Sequence, residues 1–263
     1  MGKSKTSGTS EWATKNFNCC YGCLHDCIYC FAKAKQVNLK KIKPEDWHLE
    51  RIRDRKVNKR YKKKFSGRIM FPSTHDITPT NLDACLTVLE KLLKVGNEVL
   101  IVSKPHLDSI EAICHQLVDY REKILFRFSI GTCDNSVLRF WEPNAPSYEE
   151  RRASLQYAYD FGFKTSISAE PLLYFANIDQ LLAELLPFVT DSIWIGKMNH
   201  IDKFDKYADA QTQEALTQIE AGQTDAIIKS IYLRHKHNPM IKWKESIKKV
   251  VGLPLAPQPG MDI

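Results

Sequence analysis

The chain has 263 residues, 43% hydrophobic and 26% charged, with a formal net charge of +7. That length suits one sizeable core, and no run of eighteen apolar residues offers a helical membrane span. Eight cysteines behind a polar start without a signal's apolar core exclude a secreted disulfide scaffold as the working expectation and favour thiol or metal chemistry in a reducing, cytoplasmic compartment.

Residues 1–10 are expected to be a flexible lead-in, and 11–18 a short extended segment where a first strand would sit. Next comes Asn18-Cys-Cys-Tyr-Gly-Cys-Leu-His-Asp-Cys-Ile-Tyr-Cys-Phe-Ala32, which spaces Cys23, Cys27 and Cys30 as CxxxCxxC. Three thiolates cannot saturate a four-iron cubane, so a cluster held here keeps one iron open to a non-protein ligand. Gly22 lets the backbone approach a bulky group, and Tyr29 sets a flat ring beside the last thiol. Two other readings fit the same residues: a zinc site with His25 as fourth ligand, although no second Cys/His pair follows at finger spacing, or a set of buried free thiols. Outside the triad, Cys85 and Cys114 fall on helical faces and read as small apolar residues.

The stretch 33–64 is strongly basic. Of the 38 Lys and Arg and 31 Asp and Glu in the chain, fourteen and four lie there, leaving 24 and 27 elsewhere. The positive charge is therefore local. A polyanionic partner fits such clustering, because cations bound along a phosphate backbone release its counterions; a solvated helical surface fits it equally. Trp47, Tyr61 and Phe65 are interleaved and can either stack on bases or pack on the core.

From Gly67 short apolar runs alternate with amphipathic ones. Strands are expected at Arg68–Phe71, Glu98–Ser103, Ile124–Ile130, Lys164–Ala169 and Ser192–Gly196. Helices are expected at Thr80–Val95, His106–Tyr120, Ser147–Phe161 and Asn177–Leu186. With the segment before the cysteines, six strands form parallel βαβ units, an open α/β barrel over residues 11–200. Residues 201–263, with two helices from Asp205 to His237 and a Pro-rich tail from Gly252, pack on the same domain. In such a barrel the chemistry belongs at the C-terminal strand ends, and those ends here carry Thr74, His75, Asp76, Ser103, Lys104, Ser129, Ser168, Ala169 and Gly196.

CxxxCxxC with an aromatic before the last Cys resembles the radical S-adenosylmethionine (SAM) superfamily, and GCLHDCIYCFA resembles its spore photoproduct lyase-like branch. The resemblance implies a partial, six-stranded parallel β/α barrel. It also implies a 4Fe-4S cluster on Cys23, Cys27 and Cys30, and SAM on its open iron. Lys104 and Ser129 match residues that contact SAM in that branch, and Ala169 matches one at its adenine. Tyr29 and the loop Thr74, His75, Asp76 complete the expected cofactor contacts. Glu142 with Arg151 matches a Glu-Pro…Arg segment and reads as a pair that orients the rim.

The implied activity is reductive cleavage of SAM to a 5′-deoxyadenosyl radical that takes hydrogen from a substrate, in a lyase or a transferase, with a flavodoxin- or ferredoxin-like protein as electron donor. Nucleic acid is the favoured substrate class, through 33–64; a peptide or small metabolite stays open. Departures from the branch are concrete. Ser73 stands where the lyase has its hydrogen-donating cysteine, Phe31 where it has a tyrosine, His75 where a serine contacts SAM, and Gly131 where it has an asparagine. Cys133 can replace the donor only if its loop turns inward. Non-catalytic alternatives are a zinc-stabilised nucleic-acid-binding module and a cluster-bearing redox sensor.

Overall fold

The computed structural model describes residues 6–201 and 209–261. Its strands are β1 (Lys15–Asn16), β2 (Cys20–Tyr21), β3 (Arg51–Ile52), β4 (Ile69–Phe71), β5 (Val99–Ser103), β6 (Ile124–Ser129), β7 (Lys164–Ala169), β8 (Ile193–Ile195) and β9 (Ile241–Trp243). Helices are α1 (Phe31–Asn38), α2 (Asp54–Val57), α3 (Leu82–Lys94), α4 (Leu107–Gln116), α5 (Asn135–Trp141), α6 (Tyr148–Asp160), α7 (Ile178–Leu185), α8 (Ala210–Gly222), α9 (Asp225–His235) and α10 (Glu245–Val251). Seven strands form one open sheet in the order β1-β4-β5-β6-β7-β8-β9, every neighbouring pair parallel. β2 and β3 make a separate antiparallel ribbon.

The expected open parallel barrel is present with one strand more than the six anticipated. The addition is β9, three residues that pair with β8 after the C-terminal helices. Ile-Lys-Trp is too short to show a period of its own, so the sequence does not separate it from a loop. Residues 202–208, including the expected start at Asp205, lie outside the described residues; the two helices expected there are α8 and α9.

Alternation along the strands builds two cores. Val99 and Ile101, Ile124, Phe126 and Phe128, and Ile167 and Ala169 face the surrounding helices and join the main cluster. α3 returns Leu86, Leu89, Leu92 and Leu93, all buried, and each stabilises the fold by roughly 1.5–3 kcal/mol. The intervening residues face the lumen, where Leu100, Leu125 and Trp194 meet Trp12. Arg127, fully buried, lies 4.8 Å over the Trp12 ring and 5.4 Å over that of Trp194, and its Nε donates to Ser166 Oγ at 2.9 Å. This layer floors the barrel.

The open side of the sheet is filled by the chain's two ends. Residues 1–5 lie outside the described part, but Gly8–Glu11 form a 3-10 turn, and Thr6 is buried with its hydroxyl donating to Ala256 O. Lys244, just past β9, donates to Gly8 O at 2.9 Å and pairs with Glu11 at 2.7 Å and Glu170 at 3.3 Å. Gly260 N donates to Ser10 O, so the Pro-rich tail crosses the same seam. Among the described residues no helix is long and apolar enough to cross a membrane.

Candidate functional site

The three cysteines sit on the loop that leaves the β1 end of the sheet, held from several sides. Gly22 has φ +78, and a Cβ there would lie 2.4 Å from Leu49 O and 2.8 Å from Trp47 O, so only glycine lets the loop press against the chain entering β3. Cys23 N donates to Trp47 O at 2.8 Å, and Ile28 N to Trp141 O at 3.0 Å. Cys30 caps α1, its Sγ accepting from Lys33 N at 3.3 Å.

Cys23 and Cys27 are buried and Cys30 is half-buried. Burial pushes the Cys23 thiol well up, with Asp76, Cys27 and Cys30 adding to the effect; the three sulfurs therefore share one electrostatic neighbourhood. Cys27 is pushed up to about 12 by burial, against the opposing pull of Lys104. These are donors whose ionisation the bare protein resists and a bound metal's charge would compensate. Three such thiols on one eight-residue loop fit a cluster.

His25 lies between the first two cysteines, fully buried, and both its ring nitrogens are engaged: Nδ1 at 3.1 Å from Asp76 Oδ2 and Nε2 at 2.9 Å from His106 Nε2. It has no lone pair left for zinc. Among the described residues no three His, Cys, Asp or Glu side chains converge on a single-ion position. A cubane's thiolates bind separate irons and need no such convergence.

Asp76, from the loop after β4, is the hub on this side. It accepts from His25, from the Ser103 hydroxyl and from Lys104 N at 3.0 and 3.1 Å. Burial works against its charge, yet His25, Lys104 and Ser103 hold the carboxyl well below the usual carboxylate range. Lys104 follows β5 into the same space. Its Nζ lies 5.8 Å over the Tyr29 ring and 4.0 Å from Glu142 Oε1, and burial, which opposes its charge, is outweighed with the help of the Glu142 and Asp76 carboxylates.

Glu142 is opposite, past α5. The Tyr29 hydroxyl donates to its Oε1 and Arg151 stands 2.5 Å from its Oε2. Arg151 also donates to Ser129 O at 3.2 Å and Pro146 O at 2.8 Å, binding the end of β6 to the same knot. The expected Glu142 and Arg151 pair thus exists and is fully buried.

Of the remaining expected residues, Ser129 faces the lumen beside Ser168, its register partner on β7. Ala169 turns its side chain to the helices, so only its backbone reaches the rim. His75 is buried with Nε2 accepting from Cys19 N at 3.1 Å and Nδ1 donating to Asp76 O at 2.9 Å, a ring spent on holding backbone. Thr74 is exposed, its N–H donating to Asn18 Oδ1. Cys133 does not turn inward: its Sγ accepts from Asn177, at the start of α7, at 3.1 Å. Phe31 is 55% exposed and stacks on His200 at 5.8 Å.

The basic stretch divides. Lys40, Lys41, Lys43 and Arg51 line a concavity of about 420 Å³ in which Asp46 is the acidic residue, and Arg53 lies 4.3 Å over exposed Tyr21 in the neighbouring ribbon. Residues 59–65 run to the opposite end of the barrel, where Asn97, ahead of β5, binds Phe65 N and Lys63 O. Trp47 is 2% exposed, and Tyr61 and Phe65 pack edge-on against Phe17, so these three rings serve the core.

No family model matches the chain. It is similar to an uncharacterised protein, ORF301, of Acidianus two-tailed virus, 23% identical over 219 residues that cover 76% of this chain and 70% of that protein. A variant of spore photoproduct lyase superposes with a TM-score of 0.55 at 16% identity, over 92% of this chain and 78% of its own. Another, with bound AdoMet and dinucleoside spore photoproduct, gives 0.53. SuiB of Streptococcus suis bound to S-adenosylmethionine gives 0.54 at 13% identity, over 94% of this chain and 54% of that one. The fold is that of these radical SAM enzymes.

Proposed function

We propose that this chain is a radical SAM enzyme. The observation that carries the reading is the placement of three thiols, Cys23 and Cys27 buried and Cys30 half-buried, on one loop at the mouth of an open parallel barrel, beside the half-buried cation Lys104. Cys23, Cys27 and Cys30 hold a 4Fe-4S cluster, and Lys104, Tyr29, Ser129 and the Ala169 backbone surround SAM. The chemistry these two groups supply when bound is one-electron cleavage of the sulfonium to methionine and a 5′-deoxyadenosyl radical that takes hydrogen from substrate.

The residues' own work is electrostatic and steric. Lys104 offers its charge to a carboxylate, while Glu142, neutralised by Arg151, fixes the Tyr29 ring beside Cys30. The floor of Trp12, Arg127 and Trp194 keeps bulk water from rising through the lumen. Electrons arrive from a separate flavodoxin- or ferredoxin-like protein.

Anaerobic reconstitution with iron and sulfide tests the reading. A brown protein absorbing near ~400 nm that forms 5′-deoxyadenosine from SAM under strong reductant is expected, with Cys30→Ala abolishing the product. A colourless zinc protein, or a brown one inert towards SAM, would overturn it. Lys104→Met is expected to weaken SAM binding about tenfold or more in equilibrium dialysis, a loss of about 1.4 kcal/mol.

For the substrate we favour a nucleic-acid strand, supported by the cationic concavity and Tyr21 beside the cysteine loop. Reversing Lys40, Lys41 and Lys43 to Glu should weaken oligonucleotide binding and flatten its salt dependence. The same change at Lys63 and Lys64, beside Asn97 and Gly96 at the far end, should do neither. Equal effects from both sets would remove this assignment.

A further inference from the structure

Two thiols outside the triad form a second sulfur pair that the reaction does not use. Cys19, just before β2, and Cys85, in the first turn of α3, are 66 positions apart, yet their Sγ atoms stand 3.7 Å from one another, both wholly buried. They lie on the helix side of the sheet among Ile69, Phe71, Ile77 and Val88.

The two sulfurs are chemically unlike. Contact with Cys85 outweighs burial and draws Cys19 down to about 6, while Cys85 itself also donates to Asn81 Oδ1 at 3.1 Å. Cys85 is driven well up, first by burial and then by Cys19 itself. One thiolate beside one thiol is the pairing of an attacking and a resolving cysteine.

Cys19 is also a junction. Its N–H donates to His75 in the loop after β4, its carbonyl accepts from Arg53 N at 2.8 Å, and its neighbour Asn18 accepts from Ser73 N and Thr74 N. Whatever fixes Cys19 fixes the approach to the three-cysteine loop.

We propose that Cys19 and Cys85 are a redox modification site, a dithiol that a small peroxide converts reversibly to a disulfide stapling the approach to the cysteine loop onto α3. The Cys19 thiolate attacks the peroxide, breaking the O–O bond, taking one oxygen as sulfenic acid and releasing hydroxide. The Cys85 thiol then attacks that sulfur, forming the S–S bond and expelling water. Two thiols lose two electrons, and hydrogen peroxide becomes two waters. The sulfurs must approach by roughly 1.7 Å to reach bonding distance, within reach of a side-chain rotation. Burial selects hydrogen peroxide over bulky disulfides as the oxidant, and dithiols of this kind outside secreted proteins are transient ones.

The test is independent of the radical SAM reading, because it uses both the full chain and the full chain with Cys23, Cys27 and Cys30 changed to Ala. Each is treated with hydrogen peroxide, alkylated without reductant and mapped by mass spectrometry. A linked Cys19 and Cys85 peptide is expected in the majority of molecules of both, dissolving in dithiothreitol. In Cys85→Ser, dimedone should label Cys19 as a sulfenic acid faster than Cys114. Absence of the linked peptide from natively folded wild-type chain, or labelling of Cys19 no faster than Cys114, would overturn the proposal.

Discussion

Lys244 lies 2.7 Å from Glu11 in the seam between the last and first strands of the sheet, and both are buried. Glu170 completes the knot at 3.3 Å, and the Lys244 ammonium sits 4.0 Å over the Trp12 ring. One cation thus joins residues 236 or fewer positions apart where a closed barrel would place further strands. Lys244→Met leaves the buried Glu11 and the half-buried Glu170 without their partner and is expected to cost about 3–5 kcal/mol in urea unfolding. A loss below about 1 kcal/mol, the size of an exposed pair, would show that the seam does not depend on it.

Glu142 separates charge from hydrogen bonding. Glu142→Gln strands the buried Arg151 and should destabilise by about 3–5 kcal/mol. Tyr29→Phe removes a hydroxyl from the same carboxylate and should cost only about 0.5–1.5 kcal/mol. Equal losses would mean that the tyrosine, not the ion pair, carries the knot.

Asp76 sets an acid sensitivity. Its carboxyl is held far below the unfolded value of about 3.9, so the unfolded chain binds the proton first. The stabilisation is complete above that value and drains away as pH falls through it. Urea midpoints measured from about pH 6 to pH 3 should fall in wild type and flatten in Asp76→Asn. Parallel curves would assign the acid lability elsewhere.

Gly22 and Gly8 make a matched pair for backbone strain. Both have positive φ, but a Cβ on Gly8 meets nothing within 4 Å, whereas one on Gly22 would strike Leu49 O. Gly8→Ala should cost about 1 kcal/mol, the conformational penalty alone. Gly22→Ala should cost more and detach the cysteine loop from the chain before β3, read as lost cluster uptake on reconstitution. Equal stability losses with full uptake would contradict the packing described.

The alternation of apolar runs was sufficient to read five of the sheet's strands and their helices, because Leu86, Leu89 and Leu93 on α3, and their counterparts elsewhere, repeat at the period of the element they build. The cysteine spacing pointed to its loop for the same reason: the signal is local. What escaped was set by long-range geometry. β9 exists because β8 offers an edge, not because Ile-Lys-Trp favours extension. The alternative that makes His25 a zinc ligand stays open in the sequence until Asp76 and His106, 51 and 81 positions away, claim both nitrogens. Whether Trp47 stacks on bases or packs on the core is not decided by sequence; in the fold it is buried. Lys244 and Glu11 carry no motif, since only closure of the sheet brings them together.

The layer of Trp12, Arg127 and Trp194 sets a fully buried cation against two indole rings, and Lys244 reaches the same Trp12 ring from the seam at 4.0 Å. Trp12 is thus the hinge pin between the middle of the sheet and its closing edge, so damage to that one indole would be felt in both.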